Sequence, residues 1–119
     1  MPAGHQIIQS YGEERFRIAD TVYEDSVLVF PDKTVVWPAT AVSDITLAAL
    51  KPVTALESVP DILVVGCGEK FVPPMADLKD QLRHYGIVME WMDTGAACRT
   101  FNVLLSEARH VAAALIAVK

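Results

Sequence analysis

The chain is short of cysteine, of basic residues, of aromatics and of long apolar runs, and each shortage excludes something. Two cysteines, Cys67 and Cys98, are too few for a disulfide scaffold and are not spaced as a CxxC pair. They fit a reduced, cytoplasmic setting. Ten Lys and Arg stand against fifteen Asp and Glu, a formal net charge of −5. A non-specific nucleic-acid binder needs a Lys/Arg surface that releases counterions, so no nucleic-acid partner is expected. Docking on anionic lipid is disfavoured on the same ground. The longest apolar run, Val111 to Val118, falls well short of the ~20 residues that span a bilayer. The opening stretch MPAGHQIIQSYGEERF has no basic segment followed by a long apolar one, so no targeting signal is expected. The three histidines, His5, His84 and His110, have no partners at metal-ligand spacing, and neither a Walker loop nor a serine elbow occurs. No metal and no cofactor is implied.

What is present is a globular composition. Of 119 residues 52% are hydrophobic and only 8% aromatic, so the core is built from Val, Leu, Ile and Ala. That length suits a single domain, residues 1–119, with one real core. The first half reads as short strands and turns: Ile7 to Tyr11, Phe16 to Ile18, Val22-Tyr23, Val27 to Phe30 and Thr34 to Trp37. Gly12-Glu13-Glu14 and Pro31-Asp32-Lys33 are turn chemistry between them. Ser43 or Asp44 caps a short predicted helix over Ile45 to Leu50, which Pro52 stops.

The second half reads as β-α-β. Ile62 to Val65 is a continuous apolar run, as in a strand buried on both faces, and Gly66-Cys67-Gly68 ends it. Pro73-Pro74 opens a predicted helix whose stripe is Met75, Leu78, Leu82 and Tyr85, with Gly86 at its C-cap. Ile87 to Met92 is the next strand, parallel to the first through a right-handed crossover. A second helix covers roughly Ala96 to Glu107, with Ala97, Phe101, Leu104 and Ala108 as its apolar face, and His110 to Val118 is a last strand. The expected fold is α/β: a central mixed sheet with helices on one side and the N-terminal antiparallel hairpins on the other.

Chemistry concentrates where strands hand over to helices. Gly66, Cys67 and Gly68 follow a buried strand, where a glycine turn lets a ligand approach the backbone. A dinucleotide fingerprint needs a third glycine, and Phe71 stands in that place, so a tight turn is the plainer reading. Asp93 and Thr94 are N-cap residues, and the same helix start favours an anion, with Arg99 as a bidentate partner. Cys98, in the first turn beside Arg99, is placed where a thiol pKa falls. Cys67 and Cys98 are expected to face one another at one sheet edge. Arg99, Asn102, Ser106 and Arg109 form a polar stripe, either solvated or a binding surface. Asn102 is a poor helix former in mid-helix, which suggests a specific hydrogen bond.

The segments ILVVGCGEKF and GIVMEWMDTGAACRTFNVLLSEARHVAAALI resemble a family of small uncharacterised bacterial and archaeal proteins. That family is related to the mitochondrial complex I (NADH dehydrogenase) assembly factor 3 and to a human adipogenesis-associated protein. Phe16-Arg17 and SVLVFPD at Ser26 to Asp32 extend the resemblance more loosely, so it covers most of the chain. It implies a three-layer fold around a mixed sheet and no established catalytic activity. The mitochondrial member acts by protein–protein contact during complex assembly. Two functions follow as expectations. One is a non-enzymatic interaction or assembly factor with protein partners, in which a homo-oligomer is open. The other is a small-molecule or anion-binding protein, or a thiol-redox enzyme, using the edge around Cys67, Asp93, Cys98 and Arg99.

Overall fold

The computed structural model describes residues 6–119; His5 lies outside the described residues. Among the described residues eight strands form two sheets. β1 (Ile8–Gly12), β2 (Arg15–Ile18) and β3 (Thr21–Tyr23) make an antiparallel three-stranded sheet in sequence order. β4 (Val27–Val29), β5 (Thr34–Val36), β6 (Ile62–Gly66), β7 (Val88–Met92) and β8 (Val111–Leu115) make a mixed sheet of order β5-β4-β8-β6-β7. β6 is parallel to both neighbours, pairing Ile62 with Val88 on one side and with Val111 on the other. β4 runs antiparallel to β8 and to β5. All five residues of β6 are buried, as its unbroken apolar run requires.

The turns of the first sheet are set by backbone conformation. Glu13-Glu14 and Ala19-Asp20 each have both φ values positive, between +49° and +67°. They join strands two residues apart, which is the primed hairpin geometry that matches strand twist. Gln9 holds the second turn by a double bond to Asp20, its Oε1 accepting from the Asp20 N–H at 2.7 Å and its Nε2 donating to Oδ1 at 2.8 Å.

The α/β fold with a central mixed sheet is as expected, and the layers divide their elements in a particular way. One face of the large sheet buries Leu28, Leu63, Val65, Met89, Ala112 and Ala114 under α1 (Lys51–Thr54) and α2 (Leu78–Arg83). The other face buries Val27, Val29, Ile62, Val64, Ala113 and Leu115. Over it lie the three-stranded sheet and the long helix α3 (Thr94–Ser106) together, so α3 shares the hairpin layer and the β4–β5 hairpin joins the central sheet. Crossover handedness explains this. The chain steps from β6 to β7 in one direction and from β7 back past β6 to β8 in the other. Two right-handed crossovers in opposite directions must use opposite faces.

Two helices differ from the sequence expectation. The helix expected over Ile45 to Leu50 does not form: Leu47 to Leu50 are a turn, and before them Val42–Asp44 is a 3-10 turn closed by Asp44 Oδ2, which accepts from the Thr40 and Ala41 N–H groups at 2.9 and 3.1 Å. These bonds hold the Asp44 carboxyl below the usual carboxylate range. Pro52 does not stop a helix. It sits in the first turn of α1, where its missing N–H has no partner to lose. Pro73-Pro74 do not open α2, which begins after Asp77 at φ +70°. Of the expected stripe, Leu78 and Leu82 are buried while Met75 and Tyr85 are both 46% exposed.

Candidate functional site

Adjacent parallel strands whose connections leave toward opposite faces create the crevice in which open α/β sheets bind ligands. Here that point lies beyond the C-terminal ends of β6 and β7. The structure brings Gly66, Cys67, Gly68, Asp93 and Thr94 together there. The crevice is closed by the chain itself. Thr94 is fully buried; its Oγ1 donates to the Ile116 C=O at 2.8 Å and accepts from the Gly68 N–H at 3.1 Å. The Thr94 N–H donates to the Gly68 C=O at 2.9 Å. One threonine thus joins the loop after β6, the start of α3 and the end of β8.

The two glycines serve different needs. A Cβ on Gly66 would lie 2.8 Å from the Thr94 Cα and 3.1 Å from Leu115, so Gly66 is a close-approach position. A Cβ on Gly68 would meet nothing within 4 Å, but φ is +125°, so the backbone turn itself calls for glycine. Asp93 is the N-cap of α3, with Oδ1 accepting from the Ala96 N–H at 2.9 Å.

The expected low-pKa thiol is corrected. Cys98 is 3% exposed and packs with Ala97, Phe101 and Leu105 in the core under α3. Burial pushes its thiol up to about 12; Arg99 pulls it down only in part, and Asp93 adds to the rise. Desolvation of a thiolate outweighs the helix start here. Both cysteines are free and buried. The Cys67 Sγ is occupied in its own loop, where it accepts from the Val72 N–H at 3.4 Å and lies 3.5 Å from the Lys70 C=O. The buried stripe of α3 is Thr94, Cys98, Phe101 and Leu105, at spacings of four, three and four, with Ala97 beside it. That spacing is the sequence signal that places Cys98 inside. Ala108, expected on this face, is exposed beyond the helix end at φ +60°.

Of the expected polar stripe, Asn102 and Arg99 face β1, whereas Ser106 is exposed and donates to the Val103 C=O, and Arg109 lies beyond the end of α3. The Asn102 Nδ2 donates to the Ile8 C=O at 2.8 Å, and its Oδ1 accepts from the Ile8 N–H at 2.9 Å. The side-chain amide thereby acts as one more strand residue for β1. The expected specific bond of Asn102 exists, and its partner is the chain's own backbone. Arg99 is exposed, and its Nη1 lies 3.5 Å from the Tyr11 hydroxyl. The Tyr11 ring tip also covers Gly95, where a Cβ would come within 2.6 Å of the hydroxyl. Nothing in the sequence signals Tyr11 or Ile8 as neighbours of α3, since both lie more than 80 residues from it.

Four concavities of about 230 to 400 Å³ have none of the eight candidate residues in their walls. That of about 400 Å³ lies at the opposite end of the sheet, between Phe30, Lys33, Leu56, Pro60 and His110. Among the described residues no group of three His, Cys, Asp or Glu side chains is arranged to hold a metal. No helix among them is long and apolar enough to cross a membrane.

Residues 8–116 match the family described as protein of unknown function DUF498/DUF598. The chain belongs to this family. It is 36% identical over 110 residues to the NADH dehydrogenase [ubiquinone] 1 alpha subcomplex assembly factor 3 of Danio rerio, covering 92% of this chain and 63% of that protein. The chain therefore spans less than two thirds of that relative's length. An uncharacterized protein of Rhodobacter capsulatus is 38% identical over 114 residues, 96% of this chain and 86% of its own length. A solved structure described as an outer membrane protein from Bartonella henselae superposes with a TM-score of 0.89 at 34% identity, covering 98% of each chain.

Proposed function

We propose that this chain is a cytoplasmic, non-enzymatic assembly factor that works by binding another protein. The observation that carries the reading is the 36% identity, over 92% of the chain, to a protein named as an assembly factor of NADH dehydrogenase. The closed switch point supports it from a physical direction. Thr94, Gly68 and Asp93 spend their polar groups on internal bonds, and the Cys98 thiol is held protonated by burial. What the fold leaves available is backbone and apolar surface, which suits a protein partner.

Affinity capture of the tagged full chain from its own cells, with quantitative mass spectrometry, tests the reading. A reproducible protein partner in stoichiometric amount is the expected result. Recovery of the chain alone, under conditions that keep known complexes intact, would overturn it.

A further inference from the structure

We infer that β7 is a docking edge for an extended segment of a partner protein that offers a basic residue opposite Glu90 and β-branched residues beside it. This inference rests on the assembly reading and names the surface through which it would act.

Among the described residues β7 ends the large sheet and pairs only with β6. The Val88 N–H donates to the Asp61 C=O, and the Met92 C=O accepts from the Cys67 N–H, both at 2.9 Å. Alternate residues of a strand point their backbone groups to opposite sides. Val88, Glu90 and Met92 therefore bond toward β6, and the N–H and C=O of Met89 and Trp91 point outward. Among the described residues no backbone group of another element hydrogen-bonds to them, although Met89 as a whole is only 5% exposed. An edge of this kind is a template for a further strand.

The two edges of the sheet differ. β5 is three residues long, with Lys33 before it and Pro38 two residues beyond it, devices that blunt an edge. β7 is five residues long and contains neither Lys nor Pro. Beside it stands an apolar ridge: Phe71 is 61% exposed, Val72 45% and Met75 46%. Trp91 fastens this ridge to β7, its Nε1 donating to the Val72 C=O at 2.7 Å. On the opposite face of the strand Val88 is 53% exposed, and Glu90 is exposed between Val88 and Met92.

Charge selects the occupant. A second copy pairing antiparallel over the full strand would turn about residue 90 and set Glu90 against the same residue of the other copy. Like charges directly opposite are destabilising in a strand pair. Each copy also carries a net charge of −5. A basic residue at that place instead forms the favourable cross-strand pair, with β-branched neighbours packing on Val88.

The probe is the peptide Thr-Val-Lys-Val-Thr, blocked at both ends and titrated to millimolar concentration into the isotope-labelled full chain. Amide hydrogen exchange is read by NMR. The expected result is slower exchange at Met89 and Trp91, tighter binding of the Lys peptide than of its Lys-to-Glu counterpart by about two- to fivefold, and reversal of that preference in Glu90→Lys. A version with Pro in place of the second Val should bind less well. No protection at Met89 and Trp91, or protection elsewhere only, would overturn the inference. So would concentration-dependent protection of both amides in the chain alone, which would make the occupant a second copy. Failure here leaves the capture experiment untouched: a partner retained by Glu90→Lys and by Val88→Lys would keep the assembly reading and remove this edge from it.

Discussion

The end and the outer side of one strand, β7, behave in opposite ways. Where β7 hands over to α3, Thr94, Gly68 and Asp93 spend polar groups on bonds within the chain. Along its outer side, among the described residues, the backbone groups of Met89 and Trp91 have no backbone partner, and apolar side chains stand beside them. The first place has the topology of a ligand crevice, and Thr94 fills it. The second has no motif at all, yet it is the surface proposed for a partner. The lesson is that topology marks where a site can form, whereas satisfaction of polar groups decides whether one is left.

The sharpest way to break this contrast is Thr94→Val. It keeps the shape but leaves the Ile116 C=O without this bond in a buried place and the Gly68 N–H without it in a part-buried one. Each unpaired buried group costs ~1–3 kcal/mol, so a loss of roughly 2–4 kcal/mol is expected from urea unfolding. A loss under ~0.5 kcal/mol would mean that the plug does not hold this end of the fold. Asn102→Ala comes next. It removes both bonds to Ile8, and about 1–2 kcal/mol should be lost, with faster amide exchange at Ile8.

The Cys98 thiol gives a smaller, pH-dependent effect. Its folded pKa lies above the ordinary value of 9.0, at about 12. The fold therefore favours the protonated thiol. Its contribution is fully present below pH ~9 and is lost as pH rises toward ~12. Unfolding measured across that window should show a shallower alkaline decline in Cys98→Ala than in the parent chain. Iodoacetamide should alkylate Cys98 slowly at about pH 8, because thiolate is scarce and the sulfur is buried. The smallest effect is that of Glu90→Lys. The side chain is exposed and without an internal ion pair among the described residues, so stability should change by less than ~0.5 kcal/mol while partner preference reverses.

Much of this is legible in the sequence. The apolar run Ile62 to Val65, the strand through Met92 and the cap at Asp93 define two parallel neighbours, and hence the meeting of Gly66–Gly68 with Asp93 and Thr94. Asn102 announces a specific bond by being a poor choice for mid-helix. Other features are hidden for physical reasons. The partners of Asn102 and Arg99 are Ile8 and Tyr11, and no local pattern carries a contact across that span. The burial of Cys98 depends on helix phase, and a stripe through Thr94 reads as polar until Thr94 is seen to plug the sheet. Pro52 and Pro73-Pro74 are ambiguous, since proline ends one helix and begins another with the same chemistry. The free edge of β7 is a property of strand order, which periodicity does not contain.

Residue-resolved amide hydrogen exchange on the isolated chain tests the contrast most directly. The account predicts a slow Gly68 amide, held by Thr94, and fast Met89 and Trp91 amides inside an otherwise protected β7. A fast Gly68 amide together with protected Met89 and Trp91 amides would contradict it, because the crevice would then be open and the edge closed.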